Sequence, residues 1–191
     1  LSLLISTVSL ASTPNLDAIR GPLQLPGLAA SLRSDKTSQE FVSGFRKAGD
    51  LTPVELGDKF HLGSCTKAMT ATLLARQIEK GLLSWTSTLE TLFPELAASM
   101  DPSLKQVTVE QLTAHRSGLA ADVIQFDGGQ FWRRLYDPQL TPVAGRKLFA
   151  ETILALPPST APGSTFEYSN SNYIIIGAVL EKRTGKSWED L

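Results

Sequence analysis

Two short patterns in this 191-residue chain put nucleophilic and proton-handling side chains at spacings that matter. In "FHLGSCTKAMTATLLARQIEKG", residues 60–81, Ser64 and Lys67 stand three positions apart in a stretch with helical periodicity that Gly81 closes. Ser64, Lys67, Ala68, Ala71, Leu74, Ala75 and Ile78 share one stripe, so the lysine is expected on the side that turns toward a core. Helical residues three apart have Cβ atoms about 5–6 Å from one another, within reach for an amine acting on a hydroxyl. Burial and the positive end of the helix both disfavour an ammonium there, which would let Lys67 take the Ser64 proton. The helix start also favours negative charge developing near Ser64. The chemistry these residue types suit is acyl transfer.

With 19 serines and nine lysines in the chain, one S-x-x-K is expected by chance, and one occurs. Its weight comes from its place at a helix start and from a rarer companion. Tyr168-Ser169-Asn170 is the single Y-x-N, in a chain with three tyrosines and three asparagines. About 0.05 such matches are expected by chance.

The composition narrows the field around these residues. At 42% hydrophobic and 19% charged the chain is globular in character, and a formal net charge of -1 offers no electrostatic attraction for nucleic acid or an anionic membrane. One cysteine and two histidines, His61 and His115, make a metal cage improbable, so neither a metal nor a cofactor is expected. A small-molecule partner fits. The start, "LSLLISTVSLAS", is apolar and ends in the small-x-small pattern Ser9-Leu10-Ala11. Residues 1–20 therefore read as a leader or signal-peptide remnant, favouring a secreted or periplasmic protein, with a short core helix or strand as the alternative. The run is too short for a stable membrane span.

The elements that must hold the two patterns read as follows. Residues 21–81 form the first part of an α/β region, in which two apolar runs flanking the turn-like "RSDKTS" predict a hairpin ahead of the nucleophile helix. Residues 82–160 read as a mostly helical subdomain with Pro and Gly punctuation, and Thr108 with Gln111 predicts a capping box. Residues 161–191 return to the Y-x-N and a buried helix through "NYIIIGAVLEKR", with Gly185 as its C-cap and Ser187 and Asp190 starting another.

"FHLGSCTKAMTATLLARQIEKGLL", "VTVEQLTAHRSGL" and "PGSTFEYSNSNYIIIGAVLEKRTGKSWEDL" closely resemble, in this order, segments of the serine β-lactamase-like hydrolases, a group of class C β-lactamases, D-Ala-D-Ala carboxypeptidases and family VIII carboxylesterases. The resemblance implies an α+β fold, an antiparallel sheet flanked by helices plus a helical subdomain, with the C-terminal part missing from this chain. It implies that Ser64 is the acylated nucleophile, Lys67 its proton-handling partner, Tyr168 the general base that also protonates the leaving group, and Asn170 a substrate-binding residue. One oxyanion-hole donor would be the Ser64 backbone N–H. Two proton routes are open: a charged Lys67 that lowers the Tyr168 pKa, or a neutral Lys67 that is itself the base.

The third family motif, K-T-G or H-x-G, is where the sequence departs. Arg183-Thr184-Gly185 lies too close to Tyr168 to serve and reads as an ordinary helix end. The substrate implied is an ester, a β-lactam or a D-amino-acid peptide. The alternative is a non-catalytic relative or fragment that binds an acyl ligand or a protein partner, or a chain completed by another. Among the remaining residues, Cys65 is expected to pack as a small hydrophobe and His115 to be a hydrogen-bonded turn histidine. His61 is placed in a loop near the site. Trp132, Tyr136 and Phe126 are expected in the core or lining a substrate cleft.

Overall fold

The computed structural model describes residues 14–120 and 127–191 and divides into two compact units after His61. The apolar start and Phe126 lie outside the described residues.

In the first unit, helix α1 (Leu16–Arg20) precedes an antiparallel hairpin of β1 (Gly27–Arg33) and β2 (Ser38–Gly44), with Ala30 opposite Phe41. The predicted turn forms around Ser34, whose N–H donates to Thr37 O at 2.8 Å and whose hydroxyl accepts from Thr37 N–H at 3.2 Å. Arg20 ties α1 to the hairpin by donating to Asp17 at 2.8 Å and to the Ser43 hydroxyl at 3.1 Å. The open end of the hairpin demands glycine. A Cβ on Gly27 would sit 2.6 Å from Phe45 O, and Gly44 holds φ at +87° with Pro26 O 2.3 Å from where its Cβ would be.

The second unit is helical. A 3-10 turn (Gly63–Cys65) leads into α2 (Thr66–Glu79), followed by α3 (Leu89–Leu92), α4 (Val109–Thr113), α5 (Gln130–Leu135), α6 (Pro142–Ile153), α7 (Asn170–Thr184) and a 3-10 turn, Trp188–Asp190. The unit thus holds α2 together with the stretches 82–160 and 161–191. An isolated bridge between Thr88 and Thr108 sets two helix starts side by side, and each threonine closes a capping box: with Thr91 on α3, with Gln111 on α4.

The core gathers Leu74, Leu89, Leu112, Phe131, Phe149, Ile175, Ile176 and Leu180. Helix α7 is buried around most of its circumference because α2, α4 and α6 all pack on it. It ends where predicted, at Gly185 with φ +70°, the left-handed conformation that glycine adopts without strain. Arg146 of α6 locks the far side by donating to Glu181 of α7 at 2.5 Å and to Glu189 at 2.8 Å. Burial works against this guanidinium, yet the two carboxylates outweigh it and raise its pKa.

Two local expectations change. The buried line of α2 runs through Thr70, Leu74 and Gln77, while Ser64 and Ala68 are exposed and Lys67 is half-buried. Ser64 belongs to the 3-10 turn that precedes α2, where it stays beside Lys67 but is exposed. The same turn leaves Cys65 exposed where packing was expected.

Candidate active site

Four side chains from two distant parts of the second unit meet at the start of α2. The 3-10 turn presents Ser64 beside Lys67, whose ammonium donates to Ser64 Oγ at 3.2 Å. From the other direction, the loop ending in Ser169 delivers Tyr168, whose hydroxyl donates to Ser64 Oγ at 2.7 Å. Asn170, the first residue of α7, accepts from Lys67 Nζ through Oδ1 at 2.7 Å. Lys67 Nζ also lies over the Tyr168 ring, 4.8 Å from its centroid, and 5.7 Å from the ring of Tyr173.

The loop is fixed by backbone and caps. Ser169 is the N-cap of α7: its hydroxyl accepts from Ser171 N–H at 3.1 Å and donates to Ala120 O at 2.8 Å. Opposite it runs the stretch 115–118. Glu167 N–H donates to His115 O at 2.8 Å, Gly163 N–H to Arg116 O at 2.7 Å, and Ser159 N–H to Gly118 O at 2.9 Å. Gly118 holds φ at +78° against Thr160 O, which leaves no room for a Cβ.

The electrostatics ease the loss of the Tyr168 proton. The hydrogen bonds to Lys67 and Ser64, and then the Lys67 charge, hold the Tyr168 pKa below the ordinary tyrosine value. Tyr173 moves the other way, raised by burial and by its neighbour Tyr168. Of two tyrosines flanking one lysine, Tyr168 is the one prepared to lose a proton.

Beside Lys67 and Asn170 opens a cleft of about 420 Å³, lined among others by Trp132, Tyr173, Ile174, Trp188 and Arg146. Trp132 therefore reaches this cleft, whereas Tyr136 is 78% exposed and takes no part in it. His61 is exposed and belongs to the first unit. Arg183 donates to Thr91 O at 2.9 Å and Thr184 to Leu180 O at 2.7 Å, contacts of a helix end. The sequence reading passed over Tyr173, although its spacing three residues beyond Asn170 places both on one helix face. Among the described residues no cluster of side chains suits a metal ion.

Comparison with known proteins identifies the family and the fold. The Beta-lactamase family model matches residues 16–191, and the chain belongs to that family. It is 28% identical over 174 residues to penicillin-binding protein 4 of Amycolatopsis lactamdurans, a match covering 91% of this chain and 42% of that protein. The D-alanine carboxypeptidase AmpC of Burkholderia cenocepacia superposes with a TM-score of 0.62 at 25% identity, over 90% of this chain and 42% of that one. A class C β-lactamase superposes with a TM-score of 0.69 at 22% identity, over 92% and 44%. The fold is accordingly that of the serine β-lactamases and penicillin-binding proteins, present in part: an α-rich chain with a small antiparallel sheet that spans less than half the length of these relatives.

Proposed function

We propose that the chain carries the nucleophilic half of a serine hydrolase that forms an acyl-enzyme on Ser64. The observation that carries this reading is the convergence of the Tyr168 hydroxyl and the Lys67 ammonium on Ser64 Oγ, at 2.7 and 3.2 Å. With Lys67 charged, Tyr168 acts as a phenolate. It takes the Ser64 proton as the Ser64 Oγ–C bond forms at the acyl carbon, then returns that proton to the departing oxygen or nitrogen as the scissile bond breaks. Water, activated by the same phenolate, releases the acyl group. The Ser64 backbone N–H, at the start of α2, donates to the oxyanion, and the Asn170 amide holds Lys67 while offering its N–H₂ to the substrate carbonyl region.

The substrate in this reading is an ester, a β-lactam or a D-amino-acid peptide. Support for the last two comes from the likeness to a penicillin-binding protein and to a D-alanine carboxypeptidase. The test is intact mass spectrometry after exposure to a fluorophosphonate, a reactive penicillin and a p-nitrophenyl ester. One covalent adduct, absent in Ser64→Ala, is the expected result, and the relative rates with the penicillin and the ester point to the substrate class. A folded protein whose complete natural form takes no adduct from any of the three would overturn the reading.

A further inference from the structure

His115 sits directly behind the general base. Its side chain is buried, 8% exposed, and its ring stacks on that of Tyr168 with centroids 4.5 Å apart and planes at 29°. Phe166 meets the imidazole edge-on at 5.8 Å and Tyr173 lies at 5.3 Å. The backbone of His115 is left-handed, with φ +55°, a conformation a non-glycine residue keeps only when its surroundings impose it.

The ring's hydrogen bonds define its protonation state. Ser169 N–H donates to Nδ1 at 3.1 Å, so Nδ1 carries no proton. Asn172 approaches the same nitrogen at 3.1 Å, and because Nδ1 accepts from Ser169 it is the amide Nδ2 that faces it, leaving Oδ1 to accept from the Ser117 hydroxyl at 2.5 Å. With His115 O accepting from Glu167 N–H, this one residue grips the chain immediately before and after Tyr168 as well as the first turn of α7.

We propose that His115 is a positioning residue for Tyr168: its unprotonated Nδ1 anchors Ser169 and Asn172, aims the stacked phenol at Ser64, and makes the alignment depend on the imidazole staying neutral. The proposal deepens the hydrolase reading and rests on it. A proton on Nδ1 would expel two N–H donors at once. It would also place a cation beside Lys67, the nearest charge facing the ring. The other titratable groups facing it are the phenols of Tyr168 and Tyr173; Glu167 touches His115 through its backbone and turns its carboxylate to Ser159 at 3.0 Å. Burial, and then the Lys67 charge, hold the His115 pKa below its ordinary value, in keeping with a ring built to remain neutral.

Two readouts test this, in the complete protein. The first needs no activity: ¹⁵N NMR of the imidazole should show the Nε2–H form, unprotonated below the ordinary histidine value of about 6.5. An Nδ1–H form, or an ordinary titration, would overturn the proposal. The second is the fluorophosphonate labelling rate of Ser64 against pH in wild type, His115→Asn and His115→Phe. Asparagine tolerates the left-handed backbone and supplies a non-titrating acceptor, so His115→Asn should keep the rate near neutrality. On the acid side the logarithm of its rate should fall with a slope of about 1 per pH unit, against about 2 in wild type, where both tyrosine and histidine protonate. His115→Phe keeps the ring without the acceptor and should lose about tenfold or more across the range. Equal acid limbs in wild type and His115→Asn would overturn the pH coupling. Absence of any labelling in wild type would instead overturn the hydrolase reading, with the imidazole readout still deciding the anchor.

Discussion

At the scale of single residues, the site turns on how one ammonium is shared. Lys67 reaches Ser64, Asn170 and the face of Tyr168 together, and it is the first cause of the depressed phenol pKa. In the proposed mechanism the base is the deprotonated phenol, so Ser64 labelling should rise as pH passes upward through the Tyr168 pKa. Lys67→Gln removes the cation, raises that pKa toward the ordinary value of about 10, and should shift the rise to higher pH. An unshifted profile would assign the base role elsewhere. Tyr168→Phe should lower the labelling rate by about 10²–10⁴-fold while leaving the helical circular dichroism unchanged.

At the scale of elements, α6, α7 and the closing 3-10 turn are joined by one ion-pair cluster. Glu181, its side chain 7% exposed, accepts from Arg146 and from Trp188 N–H at 3.0 Å. Arg146→Met leaves that carboxylate buried without its cation and should destabilise the fold by about 3 kcal/mol, read as a lower urea midpoint. Adding Glu181→Leu should recover much of the loss, because the cost lies in the orphaned charge and not in the absent pair. This cluster was invisible in the sequence, since its partners are 35 residues apart with no periodicity to join them. What was legible was local: the hairpin around "RSDKTS", the Thr108–Gln111 box and the Gly185 cap each depend on residues within a few positions. The stripe expected on α2 holds at Lys67, Ala71, Leu74, Ala75 and Ile78 and fails at Ser64 and Ala68, while Cys65 is exposed in a 3-10 turn that an assumed α-helical period overlooks. His115 was recognisable as a hydrogen-bonded turn residue, but its stacking on Tyr168 is a long-range contact that no spacing announces.

At the scale of the whole chain, the candidate site lies within the second unit although its contributors are 103 residues apart in sequence, as Lys67 and Asn170 are. The sequence suggested their meeting only through the family likeness; loop closure over such a distance leaves no local trace. The sequence pI of about 6.2 and the net charge of -1 predict weak self-repulsion near neutrality. Light scattering should accordingly show a solubility minimum close to pH 6, relieved on moving to pH 8.

The 3-10 turn that exposes Cys65 next to Ser64 has a consequence for chemical proteomics. Trypsin cuts after Lys59 and Lys67, so the hydroxyl and the chain's only thiol leave on one octapeptide, FHLGSCTK. An electrophilic warhead that prefers sulfur would give that peptide a mass increment at the same place and block Ser64 by bulk alone. Fragment ions that break the bond between residues 64 and 65 are what separate acylation of the serine from alkylation of its neighbour.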